Sequence, residues 1–166
     1  MAVKILVCGL PGSGKTFLAT ALKKYLEENG TISDVSQYRA IMTDPISANY
    51  RVLVDWFNAD EIRKRFDDWD FSREGRIRQS LRMAEFALKS PADYVIADFV
   101  APLKEMRDIF DADWLIWVNT ISLGRFEDTN KIFEPPDRYN FCVTTQDAEW
   151  WASFIVEKII NSHNIR

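Results

Sequence analysis

The chain has 166 residues, of which 47% are hydrophobic, and its formal net charge is −4 at pH 7. This length suits one domain, residues 1–166, and the apolar fraction is sufficient for a buried core. The acidic balance argues against nucleic acid as the main partner, because binding to a phosphate backbone relies on a basic face. The single histidine and two cysteines leave little material for a histidine-based catalytic centre or a zinc site.

The N-terminus leads directly into an apolar run, with no cationic leader and no cleavage-site pattern. No apolar stretch approaches the ~20 residues that are needed to span a bilayer. We therefore expect a cytoplasmic protein without a membrane partner. The sequence leaves open whether the protein forms a homodimer.

Strand-like and helix-like segments alternate along the chain. Strands are predicted at residues 3–8, 52–58, 94–97, 114–118 and 141–144, and helices at 15–28, 60–66, 73–89, 103–110 and 148–161. Segment 31–51 is mostly polar, and a short helix is expected near residues 36–42. The alternation predicts an α/β fold with an open, mostly parallel five-stranded sheet and helices on both faces.

Two of the predicted helices carry apolar side chains at helical spacing. In helix 15–28 these are Phe17, Leu18, Ala21, Leu22, Tyr25 and Leu26, and in helix 73–89 they are Ile77, Leu81, Ala84, Phe86 and Leu88. The spacing indicates which side of each helix faces the core.

Residues 9–16 read Gly-Leu-Pro-Gly-Ser-Gly-Lys-Thr and fit the pattern G-x-x-x-x-G-K-[ST] between a predicted strand and a predicted helix. Glycines let backbone N–H groups approach phosphate oxygens, and a helix N-terminus favours an anion. The predicted ATP-binding residues are Gly9, Gly12, Ser13, Gly14, Lys15 and Thr16. Lys15 would reach the β- and γ-phosphates, and the Thr16 hydroxyl would bind Mg²⁺. The flanking strand and helix disfavour the alternative of a merely connecting turn.

The phosphate loop by itself leaves the reaction open, because motors, GTPases and small kinases share it. A GTPase would carry a base-reading Asn/Thr-Lys-x-Asp element, and the sequence has none. The chain is also too small for most ATPase machines. A kinase that uses ATP and Mg²⁺ on a small-molecule substrate is the favoured class.

Four segments, together with the loop, resemble adenylylsulfate kinase. They read Trp-Phe-Asn-Ala-Asp-Glu-Ile-Arg at 56–63, Phe-Ser-Arg-Glu-Gly-Arg at 71–76, Asp-Phe-Val-Ala-Pro at 98–102 and Lys-Ile-Phe at 131–133. They are similar to the family's Asp-Gly-Asp with its Val/Ile-Arg pair, its Gly-Phe-Ser and Arg-bearing helix, its Phe-Ile-Ser-Pro turn and its lid Lys-x-Phe. The resemblance implies the P-loop NTPase fold and an enzyme of sulfate assimilation. Such an enzyme transfers the ATP γ-phosphate to the 3′-hydroxyl of adenylylsulfate, giving 3′-phosphoadenylylsulfate.

The resemblance implies two catalytic residues besides Lys15. Asp60 matches the carboxylate that faces the acceptor hydroxyl and Mg²⁺ in the family, where it can orient the hydroxyl and accept its proton. The alternative is that Asp60 only caps the following helix. Lys131 corresponds to the lid lysine, which would lie over the transferring phosphate.

Five residues are implied to bind the acceptor. Arg63 and Arg76 match the family's substrate-binding arginines, whose planar guanidinium suits a phosphate-sulfate group. Phe71 and Phe133 match the aromatic pair that stacks on the adenine, although both could be ordinary core residues. Gln79 stands where the family has an asparagine. The remaining arginines of this region, Arg65, Arg73, Arg78 and Arg82, are interpreted as surface residues.

The chain also departs from the family pattern. Asn58 replaces the first Asp of Asp-Gly-Asp, and Ala101 replaces the serine of the Phe-Ile-Ser-Pro turn. The lid, within about 119–137, is shortened and keeps Arg125, Glu127 and Asp128 as remnants. Because a lid excludes water and supplies cations, this change puts the identity of the acceptor in question.

Asp98 follows an apolar strand, where P-loop proteins commonly hold a Mg²⁺-binding carboxylate and where the resembling family has a small or hydroxyl residue. We expect Asp98 to bind Mg²⁺ directly or through water, or to contact a different acceptor; the alternative is a turn cap. A kinase for another nucleotide, nucleoside or sugar hydroxyl therefore stays open. So does a catalytically inactive nucleotide-binding protein.

Overall fold

The computed structural model describes residues 1–30 and 52–163. The strands are β1 (Val3–Cys8), β2 (Val54–Asn58), β3 (Tyr94–Asp98), β4 (Trp114–Val118) and β5 (Phe141–Val143). The helices are α1 (Lys15–Asn29), α2 (Ala59–Phe66), α3 (Arg73–Lys89), α4 (Lys104–Phe110), α5 (Glu127–Ile132) and α6 (Ala148–His163). The helix expected near residues 36–42 lies outside the described residues.

The five strands form one parallel sheet in the order β2-β3-β1-β4-β5. The central strand β1 is buried on both sides, as its near-continuous apolar sequence predicts. Ile5 and Val7 pack with α1 and α6 on one face, whereas Leu6 and Cys8 pack with α3 and α4 on the other. The predicted parallel sheet with helices on both faces is therefore confirmed.

Parallel strands bring their carboxyl ends to one edge of the sheet. The register pairs Val7 of β1 with Asp98 of β3, and Asp98 with Asn58 of β2. The loop after β1, at residues 9–14, starts at this same edge. Ligands of open α/β sheets bind outside such carboxyl ends, so the fold places the candidate site here.

The two predicted apolar faces are buried in part, and Leu18, Ala21, Leu22 and Leu26 of α1 lie in the core as predicted. Phe17 at the start of α1 is 77% exposed, and Leu81 and Leu88 of α3 are 55% and 69% exposed. The buried face of α3 instead includes Arg76 and Gln79. Ile77, Ala84 and Phe86 do pack against the core, as predicted. The part of α3 that lines the polar pocket buries polar side chains, which hydrophobic spacing does not identify.

Most predicted bounds lie within a residue or two of the observed ones, and one element was not predicted. Helix α5 lies in the shortened lid segment, where the sequence shows no apolar periodicity. Cys8 is fully buried, and burial raises the pKa of its thiol to about 12. Within residues 1–30 and 52–163, no helix combines the length and apolar character needed to cross a membrane.

Candidate functional site

The phosphate loop has a backbone that depends on glycine. Gly14 is the N-cap of α1, and its φ of 102° lies in the left-handed region. A Cβ on Gly9 would lie 2.5 Å from the carbonyl oxygen of Val118. The loop can therefore pass close to β4 and turn into α1, and the N-terminus of a helix favours an anion.

Lys15 bends back over the loop. Its Nζ donates a hydrogen bond to the carbonyl oxygen of Leu10 at 3.0 Å, and the N–H of Ser13 donates to the same oxygen at 3.1 Å. Burial lowers the pKa of Lys15, and the negative charge of Asp98 opposes this shift. A partly desolvated ammonium group at the loop interacts strongly with an added anion.

Asp98 is the centre of a polar cluster formed by three elements. Its Oδ2 accepts hydrogen bonds from Thr16 Oγ1 at 3.1 Å and from Asn58 Nδ2 at 3.0 Å. Asp98 is only 2% exposed, and this burial raises its pKa, while the Lys15 charge lowers it. The hydroxyl of Thr16 and the carboxylate of Asp98 thus lie together beside the phosphate loop.

These donors fit Mg²⁺. The ion prefers oxygen ligands, keeps several waters, and needs one or two carboxylates when phosphates complete its coordination. No group of three or more His, Cys, Asp or Glu side chains is arranged as a metal cage in the described part of the chain. Of the predicted metal-binding residues, Thr16 and Asp98 are therefore the two whose side chains are in direct contact.

Asp60 lies in the first turn of α2 and is exposed. Its carboxylate lines the neighbouring pocket, and its charge acts on Lys15, Arg63 and Asp98. Asp60 does not cap the helix. The side chain of Asn58 does so, because its Oδ1 accepts from the backbone N–H of Asp60 at 3.0 Å and of Glu61 at 3.3 Å.

A pocket opens beside Asp60. Its walls come from α2, α3 and the turn after β3, and its lining residues are Ala59, Asp60, Arg63, Phe71, Arg76, Gln79, Ser80, Phe99, Val100, Ala101, Pro102 and Met106. All predicted acceptor-binding residues except Phe133 are among them. Residues that are distant in the sequence therefore meet in one cavity, which we call the acceptor pocket.

Two buried arginines dominate the acceptor pocket. Arg63 is 4% and Arg76 is 8% exposed. Their guanidinium carbons lie 4.4 Å and 5.4 Å from the centre of the half-exposed Phe71 ring. Arg63 Nη1 donates to the carbonyl oxygens of Asp68 and Asp70 at 3.0 and 3.1 Å. Burial lowers the pKa of both arginines, because desolvation disfavours the charged form.

Arg76 and Gln79 are held by neutral partners. Arg76 Nε donates to the carbonyl oxygen of Phe71 at 2.9 Å, and its Nη2 donates to Thr129 Oγ1 at 3.1 Å. Gln79 Nε2 donates to the carbonyl oxygen of Ala59 at 3.0 Å. Its Oε1 is buried and accepts no hydrogen bond from the described residues. The pocket therefore presents positive charge and one free acceptor atom.

The two lid residues predicted from the sequence lie apart from this cluster. Lys131 is exposed on α5 and forms an ion pair with Glu127 at 3.1 Å. Phe133 is half-buried and ends α5, where its N–H donates to the carbonyl oxygen of Thr129. The ring contacts of the described residues do not pair Phe133 with Phe71. The structure thus brings Phe71 into the pocket and leaves Lys131 on the outer side of the lid helix.

Arg125 is the functional candidate that the sequence indicated only as a lid remnant. Its Nε lies 3.6 Å from the position that a Cβ of Gly12 would occupy. Its positive charge also contributes to the lowered pKa of Lys15. The signal in the sequence is weak, because a single arginine in an irregular segment is usually an ordinary solvated surface residue.

A family model described as "Chromatin associated protein KTI12" matches residues 1–110. This range includes the phosphate loop, Asp60, Asp98 and the two arginines of the acceptor pocket. No curated protein matches the chain in sequence.

Three solved structures share the fold along almost the whole chain. APS kinase CysC of Mycobacterium tuberculosis, in complex with AMPPNP and APS, has a TM-score of 0.72 at 16% identity, covering 95% of this chain and 97% of that chain. Chaetomium thermophilum Kti12, in complex with ADP-AlF3, has a TM-score of 0.59 at 19% identity, covering 95% and 97%. Shikimate kinase from Acinetobacter baumannii, in complex with shikimate, has a TM-score of 0.59 at 15% identity, covering 98% and 95%. These similarities confirm the predicted P-loop NTPase fold.

Proposed function

This chain belongs to the family described as chromatin associated protein KTI12, and we propose that it is an ATP-dependent kinase that phosphorylates a hydroxyl of a small anionic molecule. One observation carries the proposal: the acceptor pocket holds two buried arginines beside an aromatic ring and opens next to Asp60. A cationic pocket beside the phosphate loop suits a second, anionic substrate. The donor and acceptor halves together make a site for two substrates.

The donor half binds the triphosphate through the loop. Backbone N–H groups and Lys15 hold the phosphate oxygens, and Thr16 with Asp98 holds Mg²⁺. When bound, Mg²⁺ neutralises the charge that develops on the phosphates. Asn58 keeps Asp98 in place by donating to its Oδ2.

Asp60 acts on the acceptor hydroxyl. Its carboxylate is exposed, fixed at the start of α2, and close enough to influence both Lys15 and Arg63. A carboxylate between the two halves can orient the hydroxyl for in-line attack and accept its proton as transfer proceeds. Asp60 would also help Thr16 and Asp98 to hold Mg²⁺.

The acceptor pocket favours an anion that carries a flat ring. Arg63 and Arg76 donate to main-chain carbonyl oxygens and to a hydroxyl, and neither forms an ion pair among the described residues. The charges of Asp68 and Asp60 act on Arg63, and that of Asp128 acts on Arg76, without a direct contact between the charged groups. Phe71 offers a half-exposed aromatic face, and Phe133 would approach it from the lid to complete the stack. Adenylylsulfate has both features, a phosphate-sulfate group and an adenine, and we propose it as the acceptor at its 3′-hydroxyl.

The lid supplies further cations. Arg125 lies beside the phosphate loop, and Lys131 follows near the end of α5. We propose that Arg125 contacts the phosphates and that Lys131 reaches the transferred group after it leaves Glu127. Their relative contributions are measured by comparing Arg125→Ala and Lys131→Ala in the same assay.

The direct test is an acceptor panel. The protein is incubated with ATP, Mg²⁺ and one acceptor at a time, including adenylylsulfate, shikimate, gluconate and adenosine, and ADP formation is followed. We expect rapid ADP formation with adenylylsulfate and a product that carries one added phosphate. The Lys15→Ala variant, purified in the same way, controls for a contaminating kinase. ADP formation with another acceptor would keep the kinase and replace the substrate.

A second candidate is a nucleotide-binding protein of the KTI12 family that acts on no small molecule. The KTI12 family match over residues 1–110 favours this candidate. So does Asn58, which stands where the adenylylsulfate kinase family has a carboxylate. The panel separates the two candidates. Tight binding of ATP with no acceptor-dependent turnover would support this candidate and overturn the kinase.

A further inference from the structure

Asn130 in the lid helix fixes one residue of the preceding loop. Its Oδ1 accepts from the N–H of Gly124 at 2.7 Å, and its Nδ2 donates to the carbonyl oxygen of Gly124 at 3.0 Å. One side chain thus satisfies both backbone groups of the same residue. Two hydrogen bonds in this arrangement define the orientation of the backbone as well as its position.

Gly124 rests directly on the phosphate loop. A Cβ at this residue would lie 3.0 Å from the carbonyl oxygen and 3.2 Å from Cδ of Pro11. Thr120, earlier in the same segment, donates from Oγ1 to the carbonyl oxygen of Ser13 at 2.6 Å. The stretch from Thr120 to Gly124 is therefore packed against residues 11–13, and Arg125 follows at once.

The other side of α5 is attached to the acceptor pocket. Thr129, the neighbour of Asn130, accepts from Arg76 Nη2 at 3.1 Å, and the N–H of Glu134 donates to the carbonyl oxygen of Pro102 at 2.7 Å. The helix has only six residues, so it has little stability of its own. Its location is set by these contacts at both ends.

We propose that Asn130 is a positioning residue, which holds Arg125 at the phosphate loop by fixing the backbone of Gly124. Arg125 is exposed and takes part in none of the ion pairs within residues 1–30 and 52–163, so its charge is available to phosphate oxygens. The inference rests on the proposed function only in taking the loop as the nucleotide site. In this proposal Asn130 touches no substrate itself and acts by holding Arg125 in place.

The test is a double-mutant cycle on nucleotide affinity. The dissociation constant of a non-hydrolysable ATP analogue with Mg²⁺ is measured for the wild type, Arg125→Ala, Asn130→Ala and the double variant. Loss of a hydrogen bond to a charged group weakens binding by about tenfold or more, and we expect this for Arg125→Ala. Asn130→Ala should weaken binding by a smaller factor, and it should have no further effect when Arg125 is already absent.

A matched control separates positioning from general stability. Asn140 also bonds the backbone with its side chain, since its Oδ1 accepts from the N–H of Leu115 at 2.7 Å, remote from the phosphate loop. Asn140→Ala should lower the melting temperature about as much as Asn130→Ala does and leave nucleotide affinity unchanged. If Asn130→Ala weakens binding equally in the presence and absence of Arg125, or not at all, the inference is wrong.

This experiment does not require phosphoryl transfer. If the wild type binds the analogue but phosphorylates no acceptor, the proposed kinase activity fails, while the cycle still decides the role of Asn130. If the wild type binds no nucleotide, the proposed function and the inference fail together.

Discussion

The donor and acceptor halves of the site are built in different ways. The donor half comes from one continuous segment, residues 9–16, and it presents mainly backbone N–H groups and a helix terminus. The acceptor half is assembled from α2, α3, the turn after β3 and the lid helix, and it presents long side chains. A site built from backbone N–H groups can therefore be recognised in a local sequence motif. A site built from side chains depends on how distant elements pack.

The largest effect is expected in the donor half. Lys15→Ala should lower the turnover number by ~10²–10³-fold, because loss of one group that stabilises transition-state charge typically costs that much. Lys24→Ala is the matched control: it lies on the same helix, is exposed, and pairs with Glu149 at 3.9 Å. Single-turnover measurements of ADP formation check both variants. Equal activity in both would remove Lys15 from the mechanism.

The next effect is expected where the halves meet. Asp60→Asn should cut turnover by ~10²-fold or more while ATP still binds, because a general-base contribution is typically of that size. Glu61→Gln, one position further in the same helical turn, controls for the change of charge. The measurement compares kcat with the dissociation constant of ATP. Near-normal turnover of Asp60→Asn would contradict the role proposed for Asp60.

A smaller effect is expected in the acceptor half alone. Arg76→Lys keeps the charge and loses the planar fork, so the KM for the acceptor should rise by about tenfold, the cost of a hydrogen bond to a charged group. The affinity for ATP should stay near that of the wild type. Arg73→Lys, on the exposed side of α3, is the control. A parallel loss of ATP affinity in Arg76→Lys would mean that the two halves are not separable.

The smallest effect concerns stability. Burial raises the pKa of Asp98, so its ionised form opposes folding at neutral pH. Asp98→Asn should therefore raise the melting temperature of the nucleotide-free protein at pH 7 while it impairs Mg²⁺-dependent turnover. The gain should shrink as the pH falls below the raised pKa, and it should vanish once the carboxyl is protonated in both states. Melting curves at several pH values check this, and a stability gain that persists in strong acid would refute it.

The phosphate loop was predicted from the sequence because its conformation is local: the glycines at 9 and 14 and the helix that starts at Lys15 determine it. The parallel sheet followed from the alternation of strands and helices. The order of the strands did not, because it depends on pairing between distant residues. The sequence motifs resemble adenylylsulfate kinase and did not indicate the KTI12 family, although that resemblance predicted the correct fold.

Two parts of the candidate site could not be predicted from the sequence: the lid helix α5 and the buried polar face of α3. Helix α5 has six residues, and its place is set by contacts from Thr129 to Arg76 and from Asn130 to Gly124. Such contacts leave no periodic signal. On α3, Arg76 and Gln79 are buried because they line a pocket, and hydrophobic patterning assigns polar residues to solvent.

The hydrogen bond between Asn58 and Asp98 has an evolutionary consequence. The adenylylsulfate kinase family has an aspartate at the position of Asn58 and a small or hydroxyl residue at the position of Asp98. In this chain, the amide of Asn58 donates to the carboxylate of Asp98 at 3.0 Å. Two carboxylates at that distance would repel each other, and an aspartate at 58 could not donate to Asp98. An amide at position 58 therefore suits a carboxylate at position 98. Homologous sequences should change positions 58 and 98 together.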